Sequence, residues 1–191
     1  MGASNTGAPW VPMLLRSAVA AVYGVLTIFW QEPDDSVLAY AGGAYLLLTG
    51  AALLLLAGTA RGHGSTKTFL SAEAVLYVLA GALTVVPAAA GTMQAFPAAA
   101  STALIVGGAI ELFLWFRDRK TFLPVRDGLI TGAAAAGAGV LVLVFQDLGP
   151  RALLGVTGGS AIIIAVILAL SALGARHDAR SAQGDPAKAV N

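Results

Sequence analysis

Apolar residues gather into six long runs along the chain, near 12–30, 37–60, 69–89, 96–116, 128–145 and 151–173. Short polar breaks separate them: "QEPDDS", "RGHGSTKT", "AGTMQA", "RDRKTFLPVRD" and "QDLGP". Each run has about the 20 mostly apolar residues that a helix needs to cross the hydrocarbon layer. The pattern predicts an all-α, polytopic membrane protein with six transmembrane helices over residues 12–173. Connections this short favour antiparallel neighbours in one bundle. Residues 1–11 form a short leading segment. Residues 174–191, "GARHDARSAQGDPAKAVN", are polar, contain Gly and Pro, and are predicted to be a disordered tail.

Basic residues orient the spans. Arg16 opens the first. Arg61 and Lys67 lie between the second and third, and Arg117, Arg119, Lys120 and Arg126 between the fourth and fifth. Arg176, Arg180 and Lys188 lie in the tail. With six spans all of these share one side, and only Arg151 does not. That side is expected to be cytoplasmic, with both termini inside and the protein multi-pass in the inner (plasma) membrane. The other side carries Glu32, Asp34, Asp35 and Asp147, on loops too short for a soluble domain. Trp30 and Trp115 fall at span ends, where aromatic rings suit the interface. The stretch before Arg16 has no positive charge, and no small-residue cleavage site follows the first run, so the first helix is expected to remain. "MGASNT" fits the myristoylation pattern at Gly2, although a multi-span chain needs no lipid anchor.

Composition narrows the function classes. Charged residues are 11% of the chain, against about 25% in soluble domains. There is no cysteine, which excludes disulfides, thiolate catalysis, iron–sulfur clusters and Cys-type zinc sites. The two histidines, His63 and His177, lie in polar segments, so a His-rich metal or haem site is not expected; carboxylate ligation stays open. A net charge of +1 gives no reason to expect nucleic acid. GxSxG, HExxH and GxxxxGK[ST] are all absent. "GHGSTK" lacks the phosphate-loop spacing and reads as a flexible turn. "RDRK" reads as an orientation signal beside lipid headgroups. The expectation is a non-enzymatic protein without cofactor. Its partners would be the lipid bilayer and, as alternatives, a membrane-protein partner or a second copy of itself.

The runs echo one another. "YGVLTI" from Tyr23 matches "AGALTV" from Ala80, 57 residues on, and at the same offset "TGAALLL" from Thr49 meets "VGGAIEL" from Val106. A weaker copy, "GVLVLVFQD" from Gly139, echoes "GVLTIFWQE" from Gly24. Three repeated hairpins of like orientation are the simplest reading. Inverted repeats with broken helices, which mark many secondary transporters, are absent.

Three charges lie well inside the runs, Arg16, Glu73 and Glu111, while Arg151 stands at the very start of the last. The repeat sets Arg16 opposite Glu73. Glu73, Tyr77, Gly81 and Thr84 share one helix face, as do Arg16, Ala20, Gly24 and Thr27. Glu73 lies about 6 Å into its run and Glu111 about 9 Å before Arg117, both towards the basic side. One reading is a proton or cation site made by Glu73 and Glu111. The preferred reading is a structural network near the inner leaflet that joins Arg16 to Glu73, Glu111 or both, since intramembrane acids usually find a partner. Gly24 and Gly81 are candidate packing positions on these faces. Gly128, Gly132 and Ala136 form a second small-residue motif, and Gly155 and Gly159 a third. These last two are expected to pack within the final hairpin, with an oligomer interface as the alternative.

Repeats that start on a basic residue, "RSAVAAVYGVLTIFWQEP" and "RDGLITGAAAAGAGVLVLVFQD", together with the length and the six short-looped spans, resemble the HdeD-type membrane proteins. The family pattern has Gly soon after the Arg and a Pro closing the first helix. The first copy keeps Gly24 and Pro33 but has Ser17 at the early Gly. The second has Glu73 where an Arg would stand, and the third keeps Arg126 and Gly128 without the Pro. The resemblance implies an inner-membrane protein linked to acid-stress resistance in characterised relatives, and no catalytic residues.

Overall fold

A computed structural model describes residues 9–60, 63–120 and 123–184; Gly2, Arg61 and Lys188 lie outside them. Six long helices carry the fold: α1 Trp10–Phe29, α2 Asp35–Thr59, α3 Gly64–Ala89, α4 Phe96–Asp118, α5 Gly128–Val144 and α6 Pro150–Gly184. Local chemistry sets their ends. Asp34 caps α2 by accepting from the Val37 N–H at 2.8 Å. Proline lies in the first turn of α4 and opens α6, where its missing N–H leaves no bond unmade. Gly91 and Gly149 turn the chain at φ +87° and +86°, a region that other residues avoid. Near its start α2 winds through a π-helical segment, Leu38–Gly42, where Gly42 leaves room for the Phe96 ring.

Five of the helices are long and apolar enough to cross a membrane; α5, at 17 residues, is apolar but shorter. Large apolar side chains are exposed on every helix, among them Val22, Leu55, Leu83, Phe116, Val144 and Leu170. Such a belt favours aggregation in water and is the ordinary lining of a lipid-facing surface.

The helices form a closed ring in which contact alternates in extent. The broadest packing joins α2 to α3, α4 to α5, and α6 back to α1. The pairs α1/α2, α3/α4 and α5/α6 touch less. Glycines explain the alternation, because they let backbones approach. A Cβ on Gly81 would stand 2.7 Å from the Gly43 carbonyl, and one on Gly132 2.8 Å from that of Gly108. On Gly24 it would meet the Ile162 side chain at 2.5 Å.

Three expectations need correction. Gly128 and Gly132 pack against α4, at Glu111 and Gly108, rather than against the last helix. Gly155 and Gly159 meet nothing within 4 Å; Gly158 makes the close contact, against Thr27 of α1. The chain past residue 173 stays helical to Gly184, since no proline interrupts it there. Gly174 alone does not stop a helix whose following residues are mostly good helix formers.

Arginines and aromatic rings cluster at the end of the bundle where α1 begins and α6 finishes. Arg117 pairs with Asp118 at 3.0 Å and lies over the Phe69 and Phe113 rings at 5.5 and 5.4 Å. Arg119 covers Trp115 at 4.2 Å and Arg176 covers Trp10 at 5.4 Å. Cations on aromatic faces suit an interface between water and hydrocarbon.

Candidate functional site

Arg16, Glu73 and Glu111, the charges well inside the apolar runs, meet at the middle of the ring. Glu111 of α4 is the hub. One of its oxygens accepts from the Arg16 guanidinium of α1, and the other from the Thr131 hydroxyl of α5. Glu73 of α3 is fully buried beside them, and neither of its oxygens has a hydrogen-bond donor. The Arg16 Nε is also unpartnered. Arg16 and Glu73 line one cavity, while the direct ion pair is Arg16–Glu111.

Depth differs from the sequence reading. α3 begins at Gly64, five residues before the expected start, so Glu73 lies about 14 Å along it rather than 6 Å. Polar residues extend that helix because they find partners: Ser65 accepts from Arg117 at 2.7 Å, and Thr66 donates to Asp118 at 2.6 Å. Glu111 lies about 11 Å before the end of α4. Both acids remain in the half nearer the basic end.

All six helices reach the cluster. Beside it is a cavity that leaves the centre of a water molecule about 20 Å³ in which to move, room for a single water. Met13, Leu56, Leu70, Leu114 and Leu168 wall it, and Pro124 and Val125, from the turn Leu123–Val125, close it at the basic end. Tyr77, one turn along α3 from Glu73, is buried and fills the space above Gly107 of α4; a Cβ there would meet its ring at 2.5 Å.

Towards the acidic end the polarity changes. Buried Thr84, Ser101 and Thr157 donate to carbonyls of their own helices, at 2.8, 3.1 and 2.8 Å. Tyr23 stacks on Tyr45 with ring centroids 4.3 Å apart, and its hydroxyl shares a 2.7 Å hydrogen bond with Thr157. A wider cleft of about 460 Å³ opens among Asp35, Met93, Gln94, Gln146 and Asp147. It has no lining residue in common with the inner cavity. Among the described residues no three His, Asp or Glu side chains gather to hold a metal ion.

Sequence reasoning missed Thr131, although it lies next to Gly132. The Gly128–Gly132 spacing marked the helix face, and only the approach of α4 shows that Thr131 meets an acid. Thr131→Val is expected to destabilise the protein by about 1–2 kcal/mol, the scale of one hydrogen bond to a charged group tempered by the membrane setting. Thermal unfolding in detergent measures this, and an unchanged midpoint would remove Thr131 from the network.

An all-helical bundle of long apolar helices, with an apolar outer surface and an Arg–Glu–Glu cluster buried inside, is a multi-pass membrane protein. Residues 15–86 match the family model described as "Short repeat of unknown function (DUF308)", a stretch that takes in most of α1, all of α2 and α3 as far as Val86. No curated protein and no solved structure matches the chain.

Proposed function

We propose that this is a non-enzymatic, HdeD-like integral membrane protein that contributes to acid or envelope stress tolerance. It lies in the inner (plasma) membrane with both termini in the cytoplasm, its basic end facing inwards. Its six spans are three hairpin repeats set around a ring, each hairpin packing its second helix closely against the first helix of the next. The observation that carries this reading is the enclosure of the Arg16–Glu111–Glu73 cluster. Side chains from six helices converge on a space sized for one water, too small for a solute. Such a cluster joins helices; it does not line a conduit. The match to a short repeat family supports the repeated architecture, and the resemblance to HdeD-type proteins supports the stress role.

Reconstitution separates this from the second class of function, a small transporter or channel. Proteoliposomes are expected to show no proton or solute flux above empty vesicles, and a strain lacking the protein to survive acid exposure less well. A flux that Glu73→Gln or Glu111→Gln abolishes would overturn the reading. A third reading, an accessory subunit or homo-oligomer, is favoured by Gly155 and Gly159, which present open small-residue surface on the outside of α6. Cross-linking in mild detergent between cysteines introduced at these two positions tests it.

A further inference from the structure

Charge balance within the cluster leaves one group unexplained. Arg16 is a permanent cation. It pairs with Glu111, whose two oxygens are both engaged, by Arg16 and by Thr131. Glu73 is the remainder, a fully buried carboxyl with no donor on either oxygen. The charged and titratable groups around it are Arg16 from α1, Tyr77 on its own helix and Glu111 from α4, with Tyr45 of α2 behind them near Arg16 and Tyr77. From α5 and α6 it is approached by Thr131 and Leu168 across the cavity. With both carboxyls ionised the cluster carries one uncompensated negative charge in a low-dielectric interior, which is strongly unfavourable. One monovalent cation removes it.

Two observations decide which cation. A metal ion wants a shell of several oxygens. Among the described buried side chains the Glu73 pair are the carboxyl oxygens without a partner, and the Arg16 guanidinium beside them repels a metal. A proton needs neither shell nor space. Glu73 and Glu111 both line the one small cavity beside Arg16. Neither Glu73 oxygen has a donor, and a proton on Glu73 gives the pair the hydrogen that two carboxylates lack.

We propose that the Arg16–Glu73–Glu111 cavity is a proton-binding site, in which Glu73 carries one proton and donates it as a hydrogen bond to Glu111. The proton comes from hydronium, which leaves as water, and forms one O–H bond on a Glu73 oxygen. No other bond breaks. Pro124 and Val125, from the connecting turn, line the cavity at the basic end.

The chain contains three glutamates, Glu32, Glu73 and Glu111, so carboxyl-labelled glutamate makes the test specific. Infrared spectra of the labelled full-length protein in lipid should show one protonated glutamate per chain at neutral pH. Glu32→Gln should leave that signal unchanged, and saturating NaCl or KCl should not remove it. Glu73→Gln should abolish it, with circular dichroism confirming the helix content. Absence of the signal in the unsubstituted protein, its loss in NaCl or KCl, or its survival in folded Glu73→Gln would each overturn the proposal. If Glu73→Gln does not fold, Thr131→Val assigns the proton. It should move the carboxylate band of Glu111 and leave the acid band in place; a shifted acid band would put the proton on Glu111 and overturn the assignment. The result is independent of the stress-tolerance reading: a measured flux would refute that reading and leave the proton site standing.

Discussion

Replacing Arg16 by alanine is expected to cost about 3–5 kcal/mol of stability, or to prevent accumulation in the membrane altogether. Truncation leaves the ionised Glu111 with no cation nearby, in a site where water has almost no room. Glu111→Gln should cost less, because Glu73 remains beside Arg16 to take over as its counter-ion. The order of the two losses is therefore a sharper test than either alone. It is read from thermal unfolding in detergent and from protein yield in membranes. Exchanging the charges adds direction. The double variant Arg16→Glu, Glu111→Arg should recover part of the stability lost by each single change, because it restores an ion pair between α1 and α4. The same exchange between Arg16 and Glu73 should recover less. Greater recovery with Glu73 would mean that Glu73, not Glu111, is the working partner.

Gly132→Leu should be nearly as damaging, and for a different reason. The side chain would have to start 2.8 Å from the Gly108 carbonyl oxygen, a backbone atom that cannot swing aside. Even Gly132→Ala should cost about 1–3 kcal/mol, the usual penalty of overpacking, with separation of α4 from α5 as the structural response. Gly159→Ala provides the contrast. Nothing lies within 4 Å of that position, so the change should fall within about 0.5 kcal/mol of neutral or stabilise through better helix propensity. Unfolding midpoints measured side by side decide it. Similar losses at Gly132 and Gly159 would show that the close helix contacts lie elsewhere, or that the outer face of α6 is covered in the membrane.

These two sets of variants divide what the chain's order of residues discloses from what it hides. Helical runs are legible because an apolar stretch of about 20 residues has few alternatives in a membrane, and proline, glycine and aspartate mark most ends. Ends set by tertiary partners are not. Gly64 starts α3 because Ser65 and Thr66 bond to Arg117 and Asp118 on a helix some fifty residues away. Helix faces are harder still. In a Gly- and Ala-rich run every fourth residue is small, so Gly155 and Gly159 look as suitable as Gly158, and only the position of Thr27 on α1 distinguishes them.

The site follows the same division. From the sequence alone one can say that Arg16, Glu73 and Glu111 lie inside spans, towards the side rich in arginine, and that charges so placed must find partners or change state. Local rules can say this much, since they depend on hydropathy and helical rise. Which carboxyl receives the arginine is a question about residues 95 positions apart, and its answer depends on how the ring closes. Closure of α6 on α1 and the close approach of α4 to α5 put Glu111 between Arg16 and Thr131 and leave the Glu73 oxygens without a donor beside the cavity. No spacing along the chain encodes that outcome, because it arises from packing small residues at three interfaces at once.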